Sequence, residues 1–492
     1  MAAVLVATIG TRDLMFQVSS GDWYNIGDDQ MRDGEIIGEQ AEVIADLNLE
    51  PINYRNLTKY LLDQVEFYQK RIRPVIIGKL LTEQAPNIER VYLVGTNQNP
   101  PVQQREKDTI YACELLKSWL EHYYPQLAVE VISLGEDGTN PANFEQMFRW
   151  WRQTWMNRVV DIQNRQPIWV CLKGGVGQSS EASRVSGLSL YGDRIQFYEF
   201  NQNLNANRAG TPSDYSGPFL GTNYLWDRKQ QEALALLKRY DYEAVKRTLQ
   251  SAFQNADGTQ PNGEQMLQVK HLVEAAVQWN QGNFQAFAEV MGERAEARSQ
   301  KWWWTAYEAA YLAVVRFQQS DTIEAMFHSF RAVEGLMLEW AIQTFPDDVE
   351  RRKGKKTPRL RKSITHYLEW QNTYLWNDFK DNFKDKDTII LCGKVLIQLV
   401  QIAKPNYQDC SEINIFSEKT KPRRNQLFHR LLGLDKGEVF QAWDAQNRGE
   451  WESRVLGCLN FLSEQDFTSL AEASLMSQVH EELWEAIDNY QP

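Results

Sequence analysis

The chain has 492 residues, with 53 basic against 65 acidic side chains, a formal net charge of -12 and a hydrophobic fraction of 43%. That length exceeds what one hydrophobic core usually organises, so two or three domains are expected, and the apolar content excludes a chain disordered over most of its length. The acidic balance excludes a protein that coats nucleic acid through a general positive field, so any nucleic-acid site must be local.

The N-terminal run Ala3 to Ile9 is almost continuously apolar and β-branched, which predicts a strand buried on both faces of a parallel sheet. Similar short runs recur at Val91 to Gly95, Val129 to Gly135, Ile168 to Gly175 and, more weakly, Ile195 to Phe200. Helical patterns lie between them, at Asp108 to Tyr123 and Asn143 to Val160, so strand and helix alternate as in a doubly wound sheet. This α/β domain is expected over residues 1–202. Residues 203–223, rich in Asn, Gly, Ser and Pro, read as a linker. After it the strand signal stops. Amphipathic helices are expected at Asp227 to Tyr240, Tyr242 to Phe253, Gly263 to Gln281, Phe284 to Ser299, Trp302 to Gln319 and Thr322 to Phe345, the last capped by Asp321. Residues 224–300 form a helical connecting region and 301–492 a helical C-terminal domain.

The opening MAAVLVATIGTRD has no basic leader, and its apolar run is too short for an export signal or a membrane span. Cys113, Cys171, Cys392, Cys410 and Cys458 are scattered, with no CxxC pair and no metal-ligand cadence. Reduced thiols and a cytoplasmic protein fit this best, with no membrane partner.

Ligands of doubly wound sheets bind outside the carboxyl ends of the strands, near the point where strand order reverses. The exits here read TIGTRD, GTNQN, SLGEDGTN and KGGVGQSS. They make Thr8, Gly10, Thr11 and Arg12 candidate binders after the first strand, and Gly95, Thr96, Asn97 and Gln98 after the second. After the fourth, the candidates are Lys173, Gly174, Gly175, Val176, Gly177 and Gln178. Gly permits close backbone approach, while hydroxyl, amide and Lys groups bond phosphates or base edges, so a nucleotide suits this chemistry. Tight βα turns need the same residues for folding alone. The glycines form neither a dinucleotide fingerprint nor a Walker A loop, which argues against NAD and ATP hydrolysis.

In the C-terminal half, KPRRNQLFHRLLGL (Lys421 to Leu434) carries Arg424, Asn425 and His429 in a helical apolar pattern. Asn425 and His429 are four apart and share a face, and the long Arg424 side chain reaches the same cleft. Such a trio can cut RNA without a metal: His moves the proton, Arg offsets the phosphorane charge and Asn orients. The substrate's own 2′-hydroxyl is the nucleophile. The other histidines, His122, His271, His328, His366 and His480, read as packing or surface residues. The basic run Arg351 to Lys362 is either a solvated loop or an RNA backbone contact.

With TIGTRD, KGGVGQSS, a helical middle and RNQLFH matching an RNxxxH pattern, the chain resembles the CARF and HEPN ribonucleases of type III CRISPR systems along almost its whole length. The resemblance implies an α/β Rossmann-like N-terminal domain and an all-α HEPN-type C-terminal domain. It implies that cyclic oligoadenylate is an allosteric activator, with no other cofactor and no metal. It further implies a homodimer whose two copies of Arg424, Asn425 and His429 line one composite cleft for single-stranded RNA, with no DNA partner. The helix His328 to Ile342 is similar to the opening HEPN helix and offers Glu334. Two alternatives stay open: a nucleotide-sensing regulatory protein with an inert helical domain, or an α/β domain that also cleaves its own cyclic activator, assisted by Thr11, Arg12 or Lys173. The ring size is not legible in GGVGQ.

Overall fold

The structure, a computed structural model, describes residues 2–491 apart from 28–29, 33–34, 160–165, 257–260, 352–356, 405, 421–422, 424–425 and 427–432. It divides into two compact units, Met1–Trp226 and Asp227–Pro492.

The first unit is built on a six-stranded sheet of Ala3–Thr8 (β1), Ile88–Thr96 (β2), Ala128–Leu134 (β3), Ile168–Cys171 (β4), Ile195–Asn201 (β5) and Asp214–Leu220 (β6). All six residues of β1 are buried, and the period-2 alternation of a strand sorts them between two cores. Leu5 and Ala7 join one, with Val91 and Leu93 of β2, while Val4 and Val6 join the other, with Tyr92, Val94 and Ile168. A sheet covered on both faces needs such continuous apolar runs, and each buried Val or Leu contributes about 1.5–3 kcal/mol.

Strand order is β6-β5-β4-β1-β2-β3, with β1 to β5 parallel and β6 antiparallel to β5. This is the doubly wound order, and its direction reverses between β1 and β4. The stretch expected as a linker therefore carries the edge strand β6, whose mostly exposed residues give no apolar run. Its Pro218 is acceptable because an edge strand leaves one side unpaired.

Four helices position the strand exits: Tyr54–Asp63 (α1), Ile110–Tyr123 (α2), Phe144–Thr154 (α3) and Gly177–Tyr191 (α4). Burying an indole leaves its N–H in need of an acceptor. Trp151 on α3, and Trp155 just after it, donate to Ser179 and Ser186 of α4, each at 3.1 Å. The small serines let α4 lie close under both rings.

The second unit is predominantly helical, with Pro261–Asn280 (α5), Trp304–Gln318 (α6), Thr322–Thr344 (α7), Gly393–Ala403 (α8), Arg448–Ser463 (α9) and Leu475–Asp488 (α10) among its elements. Asp321 caps α7 as expected, accepting from Glu324 N at 3.1 Å. The single helix expected over Phe284 to Ser299 is two, Phe284–Met291 and Glu293–Ser299, broken at Gly292 with φ +56°. At the centre, Glu308 of α6 is fully buried. Its carboxylate accepts from Trp279 Nε1 at 2.7 Å, Trp304 Nε1 at 3.0 Å, Ser474 Oγ at 2.6 Å and Leu475 N at 2.7 Å, tying α5, α6 and the start of α10 together.

This unit also holds a small antiparallel sheet of Val349–Glu350, Arg359–Arg361 and Thr388–Ile390, which the sequence reading left out. It organises part of the basic run. Arg359 donates to Thr388 Oγ1 and O, both at 2.9 Å, and Arg351 pairs with Glu339 at 3.3 Å.

Candidate ligand cleft at the carboxyl edge of the sheet

At the switch between β1 and β4 the two exit turns lie against each other, and glycine is what permits it. A Cβ on Gly174 would overlap Asp13 Oδ2, Thr8 O and Gly10 N, and one on Gly10 would stand 2.8 Å from Gly175 N. Gly175 has φ +92°, where an L side chain is strained. The Thr8 hydroxyl donates to the carbonyls of Gly174 and Cys171, locking the turn to β1.

Above these turns opens a cleft of about 740 Å³, within the range of small-molecule sites. Of the fourteen expected binders, Gly10, Thr11, Arg12, Thr96, Gln98, Lys173, Gly174, Gly175 and Val176 line it. Lys173 is exposed at the strand end. Helix α4 follows Val176, its N-cap, which offers no side-chain cap, so its first N–H groups and positive dipole end favour an anion there.

The other five candidates do not line the cleft. Thr8 lies beneath it as a turn lock. Gly95 is packed against Cys113, whose Sγ would be 2.5 Å from an added Cβ. Asn97 is held inside the second exit: Arg55 Nη2 donates to its Oδ1 at 2.7 Å, and its own amide donates to Glu136. Gly177 and Gln178 line a second depression, with Glu181 and Arg184, that shares Lys173 and Gly175 with the cleft.

A buried ion pair organises the second exit. Asp108, with no exposed surface, pairs with Arg55 of α1 at 3.0 Å. It also accepts from the backbone and side-chain N–H groups of Gln98, so a lining residue is set by two charges behind it. The third exit supplies Gly135, Gly138, Thr139 and Asn140 to the lining; its turn was visible in SLGEDGTN but its residues were not among the expected binders.

Asp13 closes the TIGTRD exit but was not among the expected binders either. It lines the floor of the cleft at 3% exposure. Its one hydrogen-bond donor among the described residues is the Gly10 N–H. Burial pushes the carboxyl up to about 7, against the smaller opposing pull of that N–H.

In the helical unit, Arg424, Asn425 and His429 lie outside the described residues. Their flanks are anchored: Thr420 is buried, and the carbonyl of Leu434 accepts from Thr322 Oγ1 at 2.6 Å. Glu334 is half-buried and lines a cavity of about 370 Å³ with Phe327, Phe330 and Cys392. Two of the remaining histidines are packing residues. His328 stands 3.2 Å from Glu324, and His480 meets the Tyr242 hydroxyl at 3.0 Å and stacks on Tyr240. Burial lowers both to about 4, so they are neutral near pH 7.

Among the described residues, no helix is long and apolar enough to cross a membrane. No protein-family model and no curated protein sequence matches the chain. Among solved structures it is similar to Enterococcus italicus Csm6 bound to cyclic hexa-2′-fluoro-hexa-dAMP. The identity is 13% and the TM-score 0.57, over 99% of this chain and 100% of that one. The chain therefore has the fold of Csm6 over nearly its whole length, the two-part architecture that the resemblance to CARF and HEPN ribonucleases implied.

Proposed function

We propose that this chain is a cyclic oligoadenylate-activated endoribonuclease of type III CRISPR defence. The observation that carries the reading is the cleft at the β1/β4 switch, in a fold whose Csm6 example is bound to a cyclic hexanucleotide analogue. The turn at Gly174 to Val176 and the start of α4 receive phosphates. Lys173 and Arg12 add positive charge, while Thr96, Gln98 and Asn140 supply donors and acceptors for base edges. A ring seated on the axis of a symmetric dimer meets each of these groups twice.

In the helical domain His429 moves the proton of the substrate 2′-hydroxyl, Arg424 offsets charge on the phosphorane, and Asn425 orients the phosphate. Single-stranded RNA is cut without a metal, leaving a 2′,3′-cyclic phosphate. The ring activates cutting to the extent that it binds the active arrangement more tightly than the inactive one.

The test is cleavage of a fluorescent single-stranded RNA in EDTA, with no ring, cyclic tetra-adenylate or cyclic hexa-adenylate, for wild type and His429→Ala. Ring-dependent cutting that the substitution abolishes is expected. Ring binding without cutting under any condition would favour a regulatory binding protein instead.

A further inference from the structure

Two buried acids, Asp13 and Asp108, belong to the lining of a site that suits an anion; Asp108 is paired with Arg55, and Asp13 has no such cation among the described residues. Its carboxyl is 3% exposed, receives one N–H, from Gly10, and makes no ion pair among the described residues. A Cβ added at Gly174 would overlap the same oxygen, so the carboxyl lies between the two exit turns. The groups facing it are the Tyr54 phenol from α1, the Cys113 thiol from α2 and the Cys171 thiol from β4. Burial first, and the Asp13 charge second, push all three well above their ordinary ranges. Glu114 adds a further acid beside Cys113. The Tyr54 hydroxyl is buried without a hydrogen-bond partner among the described residues. The positive groups among the described lining residues, Arg12, Lys107 and Lys173, are exposed. An ionised carboxylate buried here with one N–H donor among the described residues has little to offset its charge, and burial, against the smaller pull of the Gly10 N–H, pushes the carboxyl up to about 7.

We propose that Asp13 is a proton-binding residue of the ligand cleft: a polyanionic ring favours its neutral carboxyl, so that a proton is taken up with the ring. This rests on the reading of the cleft as a cyclic oligoadenylate site. Phosphodiesters and adenine rings do not titrate near neutral pH. Tyr54, Cys113 and Cys171 are already neutral, and no histidine is among the described lining residues. Asp13 is thus the group that can accept the proton. As pH rises through about 7, the free protein loses the proton that the complex retains, and binding weakens. A one-unit displacement of the carboxyl by the ring corresponds to about tenfold in Kd.

The experiment is titration calorimetry of the full-length protein with cyclic tetra-adenylate and cyclic hexa-adenylate, in buffers of equal pH and different ionisation enthalpy. For wild type, we expect the observed enthalpy to vary with buffer above neutral pH, reporting proton uptake. Kd should rise on the order of tenfold from slightly acidic to moderately alkaline solution. In Asp13→Asn, which keeps an acceptor for Gly10 N–H, both effects should vanish while binding persists. Ring binding by wild type with no buffer dependence would overturn this proposal and leave the functional reading standing. Failure of both rings to bind at every pH would overturn both. The wild-type measurement decides the matter even if the variant folds poorly.

Discussion

Each unit of the molecule buries a carboxylate that has no ion-pair partner among the described residues, and the two are treated differently. Glu308 in the helical unit has four donors from three helices and lines none of the cavities described above. Asp13 in the α/β unit has a single donor and lies on the floor of a cleft. Burial raises both acids, but donors oppose it strongly in one case and weakly in the other. A carboxylate surrounded by donors is a structural joint. One left short of donors beside an open cleft answers to what enters it.

That contrast, and the wider one between the proposed binding unit and the proposed cutting unit, can be tested by substitution. The largest effect is expected from His429→Ala, which should lower ring-activated RNA cleavage by about 10²–10⁴-fold, the usual worth of a general acid or base. Ring affinity measured by calorimetry should stay unchanged. Loss of both together would mean that the two units are not chemically separate.

Arg55→Met should come next, because it leaves Asp108 buried without its cation. Removing one member of a buried pair costs about 3–5 kcal/mol, read as a lower denaturant midpoint. The Gln98 turn loosens with it, so ring binding should weaken while the α/β unit is still folded.

Glu308→Gln should cost about 1–3 kcal/mol, since an amide turns one accepting position into a donor facing Trp or backbone N–H groups. Ring affinity should not change. A neutral or stabilising outcome would make Glu308 resemble Asp13 and remove the contrast.

For Asp13→Asn the sign is the informative part. Asp13 has a folded-state pKa of about 7 against an ordinary 3.8, so the native state binds more protons than the unfolded chain between those values. Stability therefore falls as pH rises through that window, and the full penalty remains above it. The Asp13→Asn protein should lack this decline and have an equal or higher Tm in mildly alkaline buffer. A lower Tm there would indicate that the carboxylate is stabilising.

Much of the α/β unit was legible because strands buried on both faces leave continuous apolar runs, as in β1 and β4. The edge strand β6 was not, since Asp214–Leu220 needs no apolar face and carries Gly217 and Pro218. The exit turns were legible as glycine-rich punctuation, but a glycine's role depends on what stands opposite it. Gly174 and Gly95 look alike in sequence. One forms the wall of the cleft and the other packs against Cys113. Asn97 and Gln98 differ in the same way, because Arg55 and Asp108, distant in sequence, decide which side chain turns inward. Asp13 was visible only as an acid after TIGTR, and its burial comes from the fold of Ile72–Pro74, α1 and β4 around it. Arg424, Asn425 and His429 rest on sequence and resemblance.

The most direct test of the central claim is RNA cleavage by the full-length protein in EDTA, with and without cyclic tetra- or hexa-adenylate, alongside His429→Ala. The expected result is cutting that appears with one of the rings, leaves 2′,3′-cyclic phosphate ends and disappears in the variant. Equal cutting by wild type and His429→Ala, or none by wild type with either ring bound, would contradict it.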